Sequence, residues 1–262
     1  MPVGALRTVR GDRPKPQREY DLTCGGYGLR MASSHEDLLA ACRLRFLVFN
    51  IELNEGLDSA YCDGCDSDPF DPFCDHLLVE RISSGQAVGT YRMQTGVRAS
   101  VHLDYYSARE FDFAPYERLR GSLVELGRAA IHCDHRSFQV LTLLWRGIIA
   151  YARLHQARYL IGCSSLTSQC PQEASDMNWR LREFQVQPEL RTNPLPKFAC
   201  PACEPSPQAD AAKPPKLLRA YLSVGARICG PPAIDREFRT IDFLTLLDLE
   251  QLGSTPLFRF LR

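Results

Sequence analysis

Three charged residues lie inside otherwise apolar stretches of the sequence: Arg92, Glu125 and Arg128. Burying a charge is costly unless an opposite charge or a hydrogen bond compensates it, so such residues either form structural ion pairs or serve chemistry. A buried carboxylate such as Glu125 can act as an acid or a base. If Glu125 and Arg128 share one strand, alternation places them on opposite faces, unless a β-bulge intervenes. These residue types leave the structural and the chemical interpretation equally open.

The eleven cysteines offer a second kind of chemistry. Cys62 and Cys65 form one Cys-x-x-Cys pair, and Cys200 and Cys203 form another, each with the spacing of zinc ligands. The two pairs lie much further apart than in a compact zinc ribbon, so a shared structural zinc and unrelated thiols both stay open. No flanking pattern identifies one cysteine as a catalytic nucleophile.

A polar stretch at 132–135, His-Cys-Asp-His, also has the composition of a metal site. It directly precedes Ser137, a suitable N-cap for the helix that follows. We favour a polar turn over a metal site here.

The segment 54–72 is polar and rich in acidic residues. Such a segment can hold a cationic substrate, but for most of its carboxylates we expect a solvated loop. Its acidic residues are Glu55, Asp58, Asp63, Asp66, Asp68 and Asp71.

Composition narrows the function classes. The chain has 262 residues, 45% of them apolar, and a formal net charge of zero, which allows a buried core and gives no indication of nucleic-acid binding. No apolar run is long enough to span a membrane and no signal peptide is visible, so we expect a cytoplasmic protein. Residues 1–19 predict a flexible basic tail, which allows peripheral contact with the inner face of the cytoplasmic membrane.

The elements that position these residues alternate between strands and helices. Residues 123–131 predict a buried strand, and the apolar residues after Ser137 recur at helical spacing through Leu154. This alternation predicts an α/β fold in a single domain over residues 20–262, with an exposed proline-rich loop at 188–215. Shorter strands are expected at 27–31, 76–82, 87–95, 159–163 and 243–249, and further helices at 34–49 and 216–225.

Four motifs together resemble the acyl-homoserine-lactone synthases. They are Arg45 four residues before Phe49, Asp68-Pro-Phe-Asp71, a strand that ends in Gly-x-x-Arg92, and Glu125-Leu-Gly-Arg128. The last departs from that family's Glu-Leu-Ser-Arg by its glycine.

Further motifs lie at Phe70-Asp-x-x-Cys-Asp-His-Leu77, Leu144-Trp-Arg-Gly-Ile148 and Pro231-Pro-x-Ile-Asp-Arg-x-Phe238. With Glu125-Leu-Gly-Arg128 they are similar to motifs of the N-acyltransferases that use acyl carrier protein and make ornithine lipids or other N-acyl amino acids. This closer resemblance covers about residues 27–250. It implies a GNAT-type fold, which is a mixed twisted sheet flanked by helices, with two strands that splay apart around the acyl-pantetheine arm.

The resemblance implies transfer of a long acyl chain, with or without a 3-hydroxyl group, to the α-amine of an amino acid. Ornithine is the default acceptor, glycine, lysine and aromatic amino acids stay open, and no cofactor is required. Enzymes that use coenzyme A place a glycine-rich loop before the corresponding helix, and the turn at 132–137 has no glycine, which favours acyl carrier protein as donor. The acidic helix of the carrier needs a basic patch, for which Arg136 and Arg146 are candidates, with Arg153 as a further one.

By the same resemblance Glu125 is the first choice for the base that deprotonates the amine, with Asp68 or His76 as alternatives. Arg128 accompanies Glu125 in the catalytic set. Backbone N–H groups of the same strand are expected to bind the oxyanion. The residues implied to shape the substrate pocket are Arg45, Phe49, Asp68, Asp71, His76 and Arg92.

Two other functions stay open. A signal synthase of the homoserine-lactone kind would accept S-adenosylmethionine and release a lactone. A zinc-stapled protein without catalysis would bind a membrane or a protein partner on the same scaffold and would be indifferent to Glu125→Gln.

Overall fold

Nine strands form one mixed sheet in the computed structural model, which describes residues 20–252. Neighbouring strands pair antiparallel, except for the fifth and sixth, which pair parallel. The strands are β1 Leu22–Cys24, β2 Tyr27–Met31, β3 Asp75–Arg81, β4 Gln86–Thr95, β5 Leu123–Ile131, β6 Tyr159–Leu166, β7 Arg227–Ile228, β8 Ala233–Asp235 and β9 Thr240–Asp248. Their order in the sheet is β1-β2-β3-β4-β5-β6-β9-β7, and β8 also pairs with β9.

Helices flank this sheet and begin where the sequence predicts caps. The Ser34 hydroxyl accepts the N–H of Asp37 at the start of the first helix, and the Ser137 hydroxyl accepts the N–H of Val140 at the start of the third. The first helix continues into a π-helical segment, Leu47–Glu52, an irregularity often found at functional sites. The helices are α1 His35–Phe46, α2 Gly96–Val101, α3 Phe138–Leu154, α4 Pro171–Arg180 and α5 Lys216–Ser223.

The main core lies between α3 and the sheet. Leu143, Leu144 and Ile148 of α3 are fully buried against apolar residues of β2, β3 and β4. Burying a side chain of this size stabilises a fold by roughly 1.5–3 kcal/mol, so the apolar stripe of α3 fixes the helix on the sheet. The start of α3 is thereby held at the end of β5.

The predicted α/β fold is confirmed, with corrections to individual elements. A short strand, β1, precedes the one expected first, and α4 was not predicted. The loop at 188–215 is irregular as expected but partly packed, because Thr192 and Ala209 are buried. The basic tail predicted at 1–19 lies outside the described residues. No helix within 20–252 has the length and apolarity needed to cross a membrane.

Candidate active site

The strands β5 and β6 separate early and leave a gap in the sheet. They pair only at Leu123↔Tyr159, Val124↔Leu160 and Glu125↔Ile161, although both strands continue beyond. Next to this point Gly162 packs against the Leu126 carbonyl so closely that a Cβ would lie 2.1 Å from its oxygen. A cavity of about 660 Å³ opens at the gap, and residues of β5, β6, α3 and α5 line it.

A β-bulge places Glu125 and Arg128 at the same cavity. Gly127 pairs with Arg92 and Ala130 with Thr90, so Arg128 and Ala129 together oppose Tyr91 alone. Arg128 takes up the extra residue in a left-handed conformation, with φ of 50°. The bulge breaks the simple alternation, and both side chains line the cavity.

Glu125 is held as a hydrogen-bond acceptor at the point where β5 and β6 part. Its Oε2 accepts the backbone N–H of Tyr106 at 2.8 Å, and its Oε1 accepts that of Ser107 at 2.7 Å. The residue is 5% exposed. Burial raises the pKa of Glu125, while the hydrogen bonds from Ser107 and Tyr106 oppose that rise. A carboxylate whose proton affinity is raised beside a cavity is suited to accept a proton.

Gln94 lies directly opposite Glu125 in the β4–β5 ladder and was not predicted as a site residue. It lines the cavity and is 1% exposed, and neither Oε1 nor Nε2 of its amide has a hydrogen-bond partner among residues 20–252. An unsatisfied buried amide is costly, which indicates that its partner comes from a bound molecule or water.

Arg128 belongs to a buried network of three arginines and three aspartates. Its Nη2 donates to Asp68 Oδ2 at 2.9 Å, and its Nε lies 3.3 Å from Asp66 Oδ1. The guanidinium also lies over the rings of Tyr106 and Phe238, at 4.7 and 4.4 Å from their centroids. Arg128 therefore has its charge compensated while it faces the cavity.

The other two arginines complete this Arg–Asp network. Arg45 is fully buried and bonds Asp71 through Nη1 and Nη2, at 2.8 and 2.6 Å, and its Nε lies 2.9 Å from Asp66. Arg92 Nη1 donates to Asp68 at 2.6 Å and to Asp71 at 3.0 Å. Arg45 and Arg92 hold the pKa of the Asp71 carboxyl well below its usual range. With three charges of each sign, the network is balanced.

The predicted pocket residues divide into two groups. Phe49, Arg92, Glu125 and Arg128 line the cavity, and the edge of Phe49 packs against Phe238. The others, Arg45, Asp68, Asp71 and His76, are not among the lining residues and lie behind Arg92 and Arg128.

Neither of the alternative bases, Asp68 and His76, lines the cavity. The Nε2 of His76 lies 3.2 Å from the Asp71 carbonyl, and burial lowers the pKa of His76. Direct substrate contact by the four residues behind the wall stays a prediction.

The expectation that most acidic residues of 54–72 are solvated is wrong. Asp66 and Asp71 are buried in the Arg–Asp network, and the Asp68 side chain is 4% exposed. Glu55 is 4% exposed and lines the cavity, where it accepts the hydroxyl hydrogen of Thr167. Asp58 and Asp63 are exposed as expected.

Further carboxyl groups at the cavity were not predicted from the sequence as site residues. Asp235 and Asp242 line the cavity, and Glu110 lies against Asp242 beside Cys163. The late Pro-Pro-x-Ile-Asp motif contains Asp235, but no motif marks Glu110 or Asp242.

The turn between β5 and α3 forms part of the cavity mouth. Arg136 lines the cavity, has a half-exposed side chain and pairs with Glu52 at 2.6 Å. Arg146 on α3 is partly buried and Arg153 is exposed. The N-cap function predicted for this turn is confirmed, because Ser137 caps α3.

The structure does not assemble the predicted zinc site. Cys65 is buried next to α1, where the N–H of the following residue bonds the Cys42 carbonyl, whereas Cys200 follows a residue that bridges to β8. Within residues 20–252 the groups of three potential ligands that come together are His132/Cys133/Asp134 and Glu110/Cys163/Asp242. The cysteines Cys62, Cys65, Cys200 and Cys203 belong to neither group.

Comparison with known proteins agrees with this geometry. The family model described as Acetyltransferase (GNAT) domain matches residues 44–146. L-ornithine Nα-acyltransferase of Brucella abortus (strain 2308) is 30% identical over 244 residues, which cover 88% of this chain and 87% of that protein. The enzyme of the same name from Agrobacterium fabrum (strain C58) is 30% identical over 86% of this chain and 82% of its own length. The chain belongs to the L-ornithine Nα-acyltransferase family.

Solved structures show the same fold at low identity. FeeM, an N-acyl amino acid synthase from uncultured soil microbes, matches with a TM-score of 0.54 and 12% identity over 89% of this chain and 98% of its own. BjaI, a coenzyme A-dependent acyl-homoserine lactone synthase, matches with a TM-score of 0.50 and 14% identity over 88% and 91%. The fold and the family together make this protein an N-acyltransferase that acts on an amino acid.

Proposed function

We propose that this N-acyltransferase joins a long acyl chain, with or without a 3-hydroxyl group, to the α-amine of ornithine, and that acyl carrier protein delivers the chain. The product is a lyso-ornithine lipid. The observation that carries the proposal is the cavity at the gap between β5 and β6, which is lined by Glu125 and by further carboxyl groups. The 30% identity to proteins named L-ornithine Nα-acyltransferase supports ornithine as the acceptor.

Glu125 takes the proton of the α-ammonium group in this mechanism, directly or through a water molecule. The freed amine attacks the thioester carbonyl, the new C–N bond forms, and the C–S bond breaks as the tetrahedral intermediate collapses. The nitrogen loses a second proton after the attack, so that one of the two protons passes through Glu125 to the departing thiolate and the other passes to solvent. The raised pKa of Glu125 suits a group that first accepts and then returns a proton.

The gap in the sheet supplies the means to stabilise the oxyanion. Beyond Glu125 the N–H groups of β5 that would face β6 have no partner strand. Backbone N–H groups of this kind stabilise the negative charge that develops on a thioester oxygen. The unpartnered amide of Gln94 is available to orient the acceptor beside Glu125.

The mouth of the cavity supports a protein donor. Arg136 is exposed at the mouth, in a turn without glycine, and Arg146 lies further along α3. Basic residues around an apolar opening suit the acidic helix of a carrier protein. Exposed apolar side chains of Ile51, Leu53 and Phe138 lie at or near the same mouth and support peripheral contact with a membrane surface as well.

The reaction is tested by mass spectrometry of total lipids from a host that lacks N-acyl amino acids, with and without this protein. We expect new species whose masses give N-acylated ornithine. In a purified assay with acyl carrier protein, Glu125→Gln is expected to lower kcat by about 10²–10⁴-fold, the range for loss of a general base. Glu173→Gln, an exposed carboxylate on α4, is the matched control. A loss of less than tenfold in a folded Glu125→Gln variant excludes Glu125 as the base.

A further inference from the structure

Four buried carboxyl groups cluster at one wall of the cavity, and we call them the acidic lobe: Glu55, Glu110, Asp235 and Asp242. Their exposures are 4%, 1%, 5% and 4%. Three of them line the cavity, and Glu110 lies directly behind Asp242. They come from separate parts of the chain, since Asp235 ends β8, Asp242 lies in β9 and the other two lie in irregular segments.

The lobe has donors for some of its oxygens but no paired cation. Asp235 accepts the backbone N–H groups of Glu237 and Phe238, at 2.8 and 2.9 Å. Asp242 Oδ2 accepts from the hydroxyl of Thr240 at 3.2 Å, and the side chains of Ser165 and Glu110 also interact with this carboxyl, whose buried Oδ1 has no hydrogen bond of good geometry within residues 20–252. None of the four forms an ion pair with a Lys or Arg within residues 20–252.

Arg128 influences Glu110 at longer range, but its charge is already compensated by Asp66 and Asp68. The lobe is therefore an unbalanced cluster of acids. Burial, with the neighbouring carboxyls, raises the pKa of Asp242 to about 6 and that of Glu110 well above its ordinary value.

The lobe adjoins Glu125 through two side chains. The N–H of Ser107 donates to Glu125, and the hydroxyl of Ser107 lies 3.5 Å from the Cys163 sulfur. That sulfur lies 3.8 Å from Glu110 Oε2. An acceptor whose α-amine is at Glu125 can therefore extend its side chain into the lobe.

We propose that the acidic lobe binds the side-chain ammonium of a diamino acid acceptor, with Asp242 as the residue that accepts its hydrogen bond. This inference rests on the proposed function and names the part of the site that selects the acceptor. The ammonium supplies both the missing cation and a donor for Asp242 Oδ1. A divalent metal fits less well, because burial raises the pKa of the Cys163 thiol and of the Glu110 carboxyl, and metal binding requires deprotonated ligands.

Steady-state acylation of ornithine and of norvaline tests the proposal, because norvaline has the same three side-chain carbons as ornithine and lacks the terminal ammonium group. We expect the wild-type chain to prefer ornithine in kcat/KM by at least about a hundredfold. Asp242→Asn is expected to lower kcat/KM for ornithine by about 10–100-fold, mostly because KM rises. The kcat/KM for norvaline should stay unchanged. Glu237→Gln is the matched control, since its exposed carboxylate lies next to the lobe in the sequence but outside the cavity.

Three results overturn the proposal. If Asp242→Asn lowers kcat/KM for ornithine and for norvaline by the same factor, Asp242 has a structural or catalytic role. If the wild type does not distinguish ornithine from norvaline, the lobe selects nothing while the N-acyltransferase function stands. If Asp242→Asn loses a bound divalent ion and a chelator abolishes wild-type activity, the lobe is a metal site. If the wild-type protein acylates neither ornithine nor norvaline, the proposed N-acyltransferase function itself is wrong, and this outcome differs from the three results above.

Discussion

Two clusters of buried carboxylates flank the same cavity, and they differ in what neutralises them. In the Arg–Asp network, Asp66, Asp68 and Asp71 each contact at least one arginine within 3.3 Å. In the acidic lobe, Asp242 and its neighbours have hydroxyl and backbone donors but no paired cation. A balanced cluster is complete in the free protein, whereas an unbalanced one costs stability until a cation binds.

Carboxylates that are paired with arginine are structural parts of a buried site, whereas carboxylates without a paired cation are available to a ligand. The Arg–Asp network fixes the wall from which Arg92 and Arg128 face the cavity. The carboxyl groups of the acidic lobe have no Lys or Arg partner within residues 20–252, so a bound cation would stabilise them. Breaking the first should therefore unfold the site, and neutralising the second should stabilise the fold and harm only substrate use.

Asp71→Asn should give the largest effect. Asp71 accepts from Arg45 and Arg92, and its loss leaves a fully buried Arg45 undercompensated. We expect the free energy of unfolding to fall by about 3–5 kcal/mol, as for the breaking of buried ion pairs. Urea denaturation followed by circular dichroism measures it. Asp58→Asn, which removes an exposed pair with Arg239, is the control and should cost less than about 1 kcal/mol.

Asp242→Asn should change stability in the opposite direction. Because the folded pKa of about 6 lies above the ordinary value near 3.8, the charged form of Asp242 is disfavoured by folding. Two pKa units correspond to roughly 3 kcal/mol. We therefore expect the free energy of unfolding of Asp242→Asn to exceed that of the wild type by about this amount at neutral pH.

The same pKa fixes the sign of the pH dependence. The penalty from Asp242 is absent below pH 4, grows between about pH 4 and 6, and is constant above. Burial also raises the pKa of Glu110, which adds a penalty of the same sign. Thermal melting from pH 4.5 to 8 should therefore show a fall in wild-type stability that Asp242→Asn reduces. Asp71, with its lowered pKa, contributes stability that is lost only as the pH falls below about 4. Equal pH profiles for wild type and Asp242→Asn would contradict the unbalanced charge of the lobe.

The sequence alone gives the elements and one side of the site. Ser34 and Ser137 mark helix starts correctly, and apolar periodicity identifies α3, because caps and periodicity are local properties. Glu125 and Arg128 stand out because charges in apolar strands are rare. Their common orientation could not be predicted, because the bulge at Arg128 is a backbone adjustment without a strong residue signal.

Long-range pairing explains what the sequence could not show. Asp66 and Asp71 look like members of a solvated loop, and only their partners on α1, β4 and β5 make their burial tolerable. Glu110 and Asp242 lie close together in the fold although 132 positions separate them in the sequence, and neither belongs to a motif. The Cys-x-x-Cys spacing suggested a zinc site because it is a local pattern, but the fold attaches the two pairs to different elements.

Glu55→Gln should give the smallest effect and tests where the acidic lobe ends. Glu55 has a hydroxyl donor, Thr167, and burial raises its pKa, with Asp242 contributing to the same shift. Because Glu55 lies at the edge of the lobe and glutamine keeps an acceptor for Thr167, we expect KM for ornithine to rise by about 2–5-fold, with stability changed by less than about 1 kcal/mol. Steady-state kinetics and melting of the same samples measure both. A loss as large as that of Asp242→Asn would place Glu55 in direct contact with the ammonium, whereas an unchanged KM would limit the lobe to Glu110, Asp235 and Asp242.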